Sequence, residues 1–178
     1  MDLLRYPLGR FESLVEVTAE ERLNFIQQVP ELAKQLRAMV SGLSHEQLQT
    51  PYRGGGWTIQ QVVHHMADND MNAVHRFKRA LTEDAPLASS YREDSWAELD
   101  DYLRVPVSVS LSLLEALHCR FYVVLSSMND NGFGRTLTTQ LLGSITLDTA
   151  LQRFVWHNRH HMAQIQSLIE RSGWSSTS

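Results

Sequence analysis

Two histidines set one helical turn apart, His157 and His161, are the residues of this chain best suited to chemistry. A helix turns once in about 3.6 residues, so both imidazoles point the same way. Around them Leu147, Ala150, Leu151, Phe154, Ile165, Leu168 and Ile169 recur at helical spacing, with His161 inside that apolar stripe and His157 at its edge. Asn158 falls in the stripe as well. Polar groups that face a core need partners, and a shared metal ion would supply one. Neutral imidazole nitrogens bind a divalent transition metal at about 2.0 to 2.1 Å, and helical i, i+4 histidines offer two of them. A plain hydrogen-bonded pair of core histidines also satisfies this spacing. Glutamate at the second position would signal a metalloprotease, and Asn158 stands there instead.

A third ligand must come from elsewhere, and His64-His65 is the other histidine cluster. Adjacent residues on a helix face different ways, so only one of them reaches a given interior site. His65 shares its flank with Thr58, Asn69, Asn72 and Arg76, a set that reads as a cavity wall. His64 lies on the opposite flank and forms, with Asp68 four residues on, a competing metal pair. A tri-histidine site leaves a coordination position open, at which a metal acidifies water or a thiol or polarises a carbonyl. No unambiguous general base accompanies the histidines, Asp68 and Asp70 being candidates by nearness in sequence alone. Asn69, Asn72, Arg76, His118 and Asn158 are candidates for supporting the ligands or touching substrate. His118 lies in the apolar stripe of its helix, where a hydrogen-bonded core histidine is an equal reading.

Four helices must position these groups. Thr18-Ala-Glu-Glu21 and Thr58-Ile-Gln-Gln61 are capping boxes that open helices over about 18–43 and 58–81. Pro30 predicts a kink or brief break near Gln28 to Val29. Ser44 to Leu48 predicts one short helical turn, and Pro51 to Gly56 a glycine-rich loop that lacks the lysine of a phosphate loop. The third helix runs over about 108–128, on Leu114, Leu117, Phe121, Val124, Leu125 and Met128. The fourth runs over about 147–172 from a Thr146 cap to Gly173. Residues 82–106 are too long for a tight hairpin and predict a crossover that returns the chain to the same end of a bundle, with a short helix near Asp94 to Leu99. Arg135 to Thr139 and Gly143 to Thr146 predict a small hairpin. Residues 1–17 read as an extended arm and 174–178 as a frayed tail, so that 1–178 is one all-α four-helix-bundle domain.

At 178 residues, 43% hydrophobic and 20% charged, the chain has an ordinary globular composition. The single cysteine, Cys119, excludes an internal disulfide framework and a cysteine-type zinc cluster, so thiol chemistry would use an outside thiol. A formal net charge of -4 with no block of lysine or arginine gives no footprint for nucleic acid. No basic segment followed by an apolar run opens the chain, and no stretch reads as a membrane span. The expected location is the cytoplasm.

Pro51-Tyr-Arg-Gly-Gly-Gly-Trp-Thr-Ile-Gln-Gln-Val-Val-His-His-Met-Ala-Asp68, with Met71-Asn72, Arg76-Phe-Lys78 and Val155-Trp-His-Asn-Arg-His-His161, resembles the YfiT branch of the DinB-like superfamily. Tyr6-Pro-Leu-Gly9, Thr82-Glu83 and Trp96-Ala-Glu-Leu99 extend the resemblance over nearly the whole chain. It implies a four-helix bundle with long crossover connections, commonly a homodimer, holding one zinc or nickel ion per subunit on His65, His157 and His161. The implied activity is transfer of a low-molecular-weight thiol such as bacillithiol to an electrophilic substrate. The alternatives are a hydrolase using metal-bound hydroxide and a binding protein stabilised by its metal. Affinity alone does not separate zinc from nickel at a histidine site. The chain departs from the pattern at Asp70, where a close relative carries histidine, and at Arg159 before His160.

Overall fold

Three threonines open three of the four long helices. Thr18, Thr58 and Thr146 have extended backbone angles, and each side chain accepts a hydrogen bond from the backbone N–H three residues on. At Thr18 and Thr58 the side chain of Glu21 or Gln61 closes the capping box. The computed structural model describes residues 2–140 and 142–174. Its helices are α1 (Ala19–Val40), α2 (His45–Leu48), α3 (Ile59–Thr82), α4 (Glu93–Trp96), α5 (Asp100–Arg104), α6 (Val107–Ser126), α7 (Asp130–Phe133) and α8 (Leu147–Arg171). Strands β1 (Thr136–Thr139) and β2 (Gly143–Thr146) form the expected antiparallel hairpin, with Thr136 opposite Thr146 and Thr139 opposite Gly143.

The four long helices form a bundle in which α1 and α3 each pack against both α6 and α8. Side-chain pairs reveal their directions. His64 meets Ser110 near the starts of α3 and α6, and Phe77 meets Phe121 near their ends, so these two helices run parallel. Consecutive parallel helices need a crossover, and residues 83–106 supply it, carrying α4 and α5. Arg22 near the start of α1 forks onto Asp148 at the start of α8, so those two are also parallel. His65 early in α3 instead faces His157 and His161 well along α8, which makes that pair antiparallel. The core between the helices includes Val29, Leu36, Ile59, Val62, Met66, Leu114, Phe121, Leu125, Leu147 and Ile165, each 0 to 1% exposed.

Two local expectations are corrected. Pro30 does not break α1. Val29, Leu32, Ala33 and Leu36 are buried around it, and that packing carries the helix through the missing backbone bond. Trp174 does not fray. Gly173 adopts φ +65°, its N–H donates to Glu170 O and that of Trp174 to Ile169 O, and the indole packs on the core. That is the bonding of a Schellman cap. Residues 175–178 of the expected tail lie outside the described residues.

The N-terminal arm docks along α8. Gln164 Nε2 donates to the Arg5 carbonyl at 2.8 Å, the Leu14 N–H donates to Gln152 Oε1 at 2.8 Å, and Tyr6 and Phe11 lie against His160 and Trp156. Among the described residues, α6 alone is long and apolar enough to cross a membrane by length and composition, with a mean hydropathy of 1.3. The sequence expectation of no such stretch is corrected to that extent. Glu115, His118 and Arg120 interrupt α6 in mid-length, and its apolar stripe faces α1 and α3.

Candidate metal centre

His65 on α3 and His157 and His161 on α8 bring their Nε2 atoms together. His157 Nε2 lies 3.2 Å from His65 Nε2 and 3.2 Å from His161 Nε2. Two ligand atoms at about 2.05 Å from a tetrahedral ion stand about 3.3 Å apart, so this spacing fits a shared ion. Burial holds the His65 imidazole down to about 4. It pushes His157 and His161 well below the ordinary histidine value, with repulsion from neighbouring imidazoles adding to it. All three are therefore neutral at pH 7, the form that ligates.

The neighbours orient the rings. Because Gln164 Nε2 donates to the Arg5 carbonyl, its Oε1 faces His161 Nδ1, 2.8 Å away. That oxygen can only accept, so the His161 proton sits on Nδ1 and Nε2 presents a lone pair. Asn69 Nδ2 lies 3.1 Å from His157 Nδ1. The amide serves either tautomer, donating to a lone pair or, turned over, accepting from an N–H, and the second arrangement frees Nε2 for a metal. Trp57 packs on the His65 ring at 4.7 Å between centroids.

A cavity of about 220 Å³ opens beside the cluster, with His157 and Asn69 in its wall. Phe77, Leu137, Ile145 and Phe154 make it apolar, and Arg76, Arg153 and Glu93 place charges on it.

Residues 28–165 match the family model of the DinB superfamily. The chain belongs to that superfamily. It is 43% identical over 175 residues, 98% of either chain, to a Geobacillus thermodenitrificans protein named "putative metal-dependent hydrolase". A Bacillus cereus protein of the same name is 42% identical over 174 residues, 98% of this chain and all of the other. Among solved structures it is similar to YfiT from Bacillus subtilis, described as a probable metal-dependent hydrolase with an unusual four-helix bundle topology. The TM-score is 0.95 at 41% identity, over 97% of this chain and 99% of that one.

In this DinB-superfamily bundle the other expected site residues divide. Asn69 and Arg76 line the cavity. Asp70 and His118 form a buried pair at 2.7 Å, and Asn158 Nδ2 donates to the other Asp70 oxygen at 3.0 Å. Asp70 is 0% exposed, so its carboxylate is shut off from substrate and is corrected from candidate base to core partner. Asp68 is likewise engaged away from the cavity, accepting from Tyr102 O–H at 2.6 Å. Asn72 bonds back to the Asp68 carbonyl within α3. His64 turns to α6, with Nδ1 2.7 Å from Ser110 Oγ and Nε2 2.9 Å from the Val105 carbonyl, so no metal pair with Asp68 forms.

Sequence reasoning missed Gln164, Arg153 and Glu93. The first two carried a signal, since Gln164 stands three residues after His161 and Arg153 four before His157, on the same helix face. Glu93 comes from the long connection, where no periodicity points inward.

Proposed function

We propose that this chain is a metal-dependent enzyme in which His65, His157 and His161 hold one divalent ion and the adjoining cavity receives substrate. The convergence of three neutral Nε2 atoms beside that cavity carries the reading. Similarity to proteins named as metal-dependent hydrolases supports it. A divalent ion so held lowers the pKa of a thiol or water at its open position. Gln164 keeps the His161 lone pair turned to the ion, Asn69 with its amide turned over would do so for His157, and Phe77 and Phe154 make the cavity wall apolar. A purely structural metal needs no cavity beside it, so the cavity favours catalysis.

Two reactions suit this site. Transfer of a low-molecular-weight thiol, of the bacillithiol type, to an electrophilic carbon is the first. It asks for no carboxylate base, and Asp68 and Asp70 are both engaged elsewhere. Hydrolysis is the second, favoured by the names of the relatives and by Glu93 in the cavity wall, whose carboxyl burial pushes up. Zinc- or nickel-loaded protein, incubated with a generic electrophile or an activated ester, with and without several thiols, separates them. Thiol-dependent product is expected. Product formed at the same rate without thiol would replace transfer by hydrolysis, and no turnover under any condition would count against both.

The homodimer is also a proposal. Val109, Leu113, Tyr122 and Val123 stand exposed on α6 and are the apolar surface such a dimer would cover. Light scattering is expected to give about twice the 20.4 kDa chain mass, and a monomer mass at micromolar concentration would reject it.

A further inference from the structure

Two partly buried arginines on the cavity lack the carboxylate fork that Arg22, Arg37 and Arg79 possess. Arg22 forks onto Asp148, Arg37 onto Glu115 and Arg79 onto Glu83. Among the described residues neither Arg76 nor Arg153 stands in an ion pair. Arg76 spends one amino group on the Ser89 carbonyl, and its buried Nε has no partner. Arg153 lies over the Phe11 ring at 5.9 Å.

Arg76 comes from α3 and Arg153 from α8, one turn before His157, and both line the same cavity. Each is partly buried, and burial disfavours the charge on both, with Arg76 adding repulsion at Arg153 and Glu93 offsetting part of the cost at each. Glu93 is the single acidic residue in the described wall, which leaves the cavity one positive charge in excess. A guanidinium withdrawn from water without a partner is costly, and its planar fork matches a carboxylate with two parallel hydrogen bonds. The excess of one charge suits a monoanion better than a phosphate dianion.

We infer that the cavity selects a small substrate bearing a carboxylate, held between Arg76 and Arg153, with an apolar body against Phe77, Leu137 and Phe154 and its reactive end toward His157. The inference rests on the cavity being the substrate site, as proposed above, and it defines the substrate class that site accepts.

Hexanoate is the probe, titrated into protein stripped of metal by a chelator, because an ion at the histidines would itself attract a carboxylate. Hexanamide has nearly the same shape without the charge, and hexyl phosphate offers the dianion. Hexanoate is expected to bind at least about tenfold more tightly than hexanamide, and to lose about tenfold in Arg153→Gln and in Arg76→Gln. Arg153→Lys should recover only part of that loss, since an ammonium lacks the fork. Absence of hexanoate binding, equal binding of hexanoate and hexanamide, or unchanged hexanoate affinity in both glutamine variants would each overturn the inference. Tighter binding of hexyl phosphate would overturn the monoanion assignment. The comparison of hexanoate with hexanamide in the unaltered chain needs no variant to fold. Elemental analysis of the unaltered protein, reloaded with zinc, tests the histidine cluster separately. Failure there with hexanoate selectivity intact would sink the metal reading alone.

Discussion

Alanine at His65, His157 or His161 is expected to strip the protein of its metal, whereas alanine at His64 or His160 leaves stoichiometric metal in place. The three cluster histidines supply the convergent Nε2 atoms, and two imidazoles rarely hold an ion in a tight, defined geometry. His64 is spent on Ser110 and Val105, and His160 stacks on Trp156 at 4.8 Å between centroids. Removing His64 strands a buried hydroxyl and a carbonyl, so its cost is expected in stability, about 1 to 3 kcal/mol, and not in metal content. Gln164→Met grades the series. It keeps all three ligands but removes the acceptor that orients His161, a change that typically costs about 10- to 100-fold in metal affinity. Loss of a ligand should exceed that. The measurement is elemental analysis after dialysis at neutral pH, with a chelator competition for Gln164→Met. Metal retained in all three cluster variants would reject the site, and loss in His64→Ala with retention in His65→Ala would exchange their roles.

Stripped of metal, the protein is expected to lose stability steeply as the pH falls from about 6.5 toward 4.5. Burial depresses His65 to about 4, and His157 and His161 well below the ordinary value. The fold keeps these rings neutral while the unfolded chain protonates them from about pH 6.5 downward, so the unfolded state binds more protons and acid favours it. The stability they lend is present above the unfolded pKa and is lost as pH falls toward the folded one. Each such histidine costs about 1.4 kcal/mol per pH unit, an upper bound of about 8 kcal/mol for the cluster over two units. Whole domains hold about 5 to 15 kcal/mol. His64 and His160 are depressed by burial too and add in the same direction. Asp68 and Glu93, pushed up by burial, oppose it only where carboxylates titrate, at the lower end of the range. Urea midpoints of chelated protein at several pH values measure the slope, which should flatten in His65→Ala. A constant midpoint from pH 7 to pH 5 would show that these histidines are not held neutral by the fold.

The helices were legible because their signals are local. Threonine caps, three- and four-residue apolar spacing and Gly173 act within a turn or two of the residues they position, and Ala19–Val40, Ile59–Thr82, Val107–Ser126 and Leu147–Arg171 fall within about two residues of the expected bounds at most ends. The same periodicity put His157 and His161 on one face, and the length of residues 82–106 announced the crossover. Of the kink or brief break expected at Pro30, the break does not occur, because packing from other helices outweighs the missing backbone bond. The tertiary structure decided what depends on contact between distant segments. Asp70 and Asn69 are sequence neighbours, yet one is sealed against His118 and the other lines a cavity, because their helix lies between α6 and α8. Glu93 reaches that cavity from a connection with no inward pattern, and Gln164 is oriented by a carbonyl 159 residues away. A periodic pattern determines which way a side chain leaves its own helix, whereas what it meets there is set by the order and direction in which the helices pack.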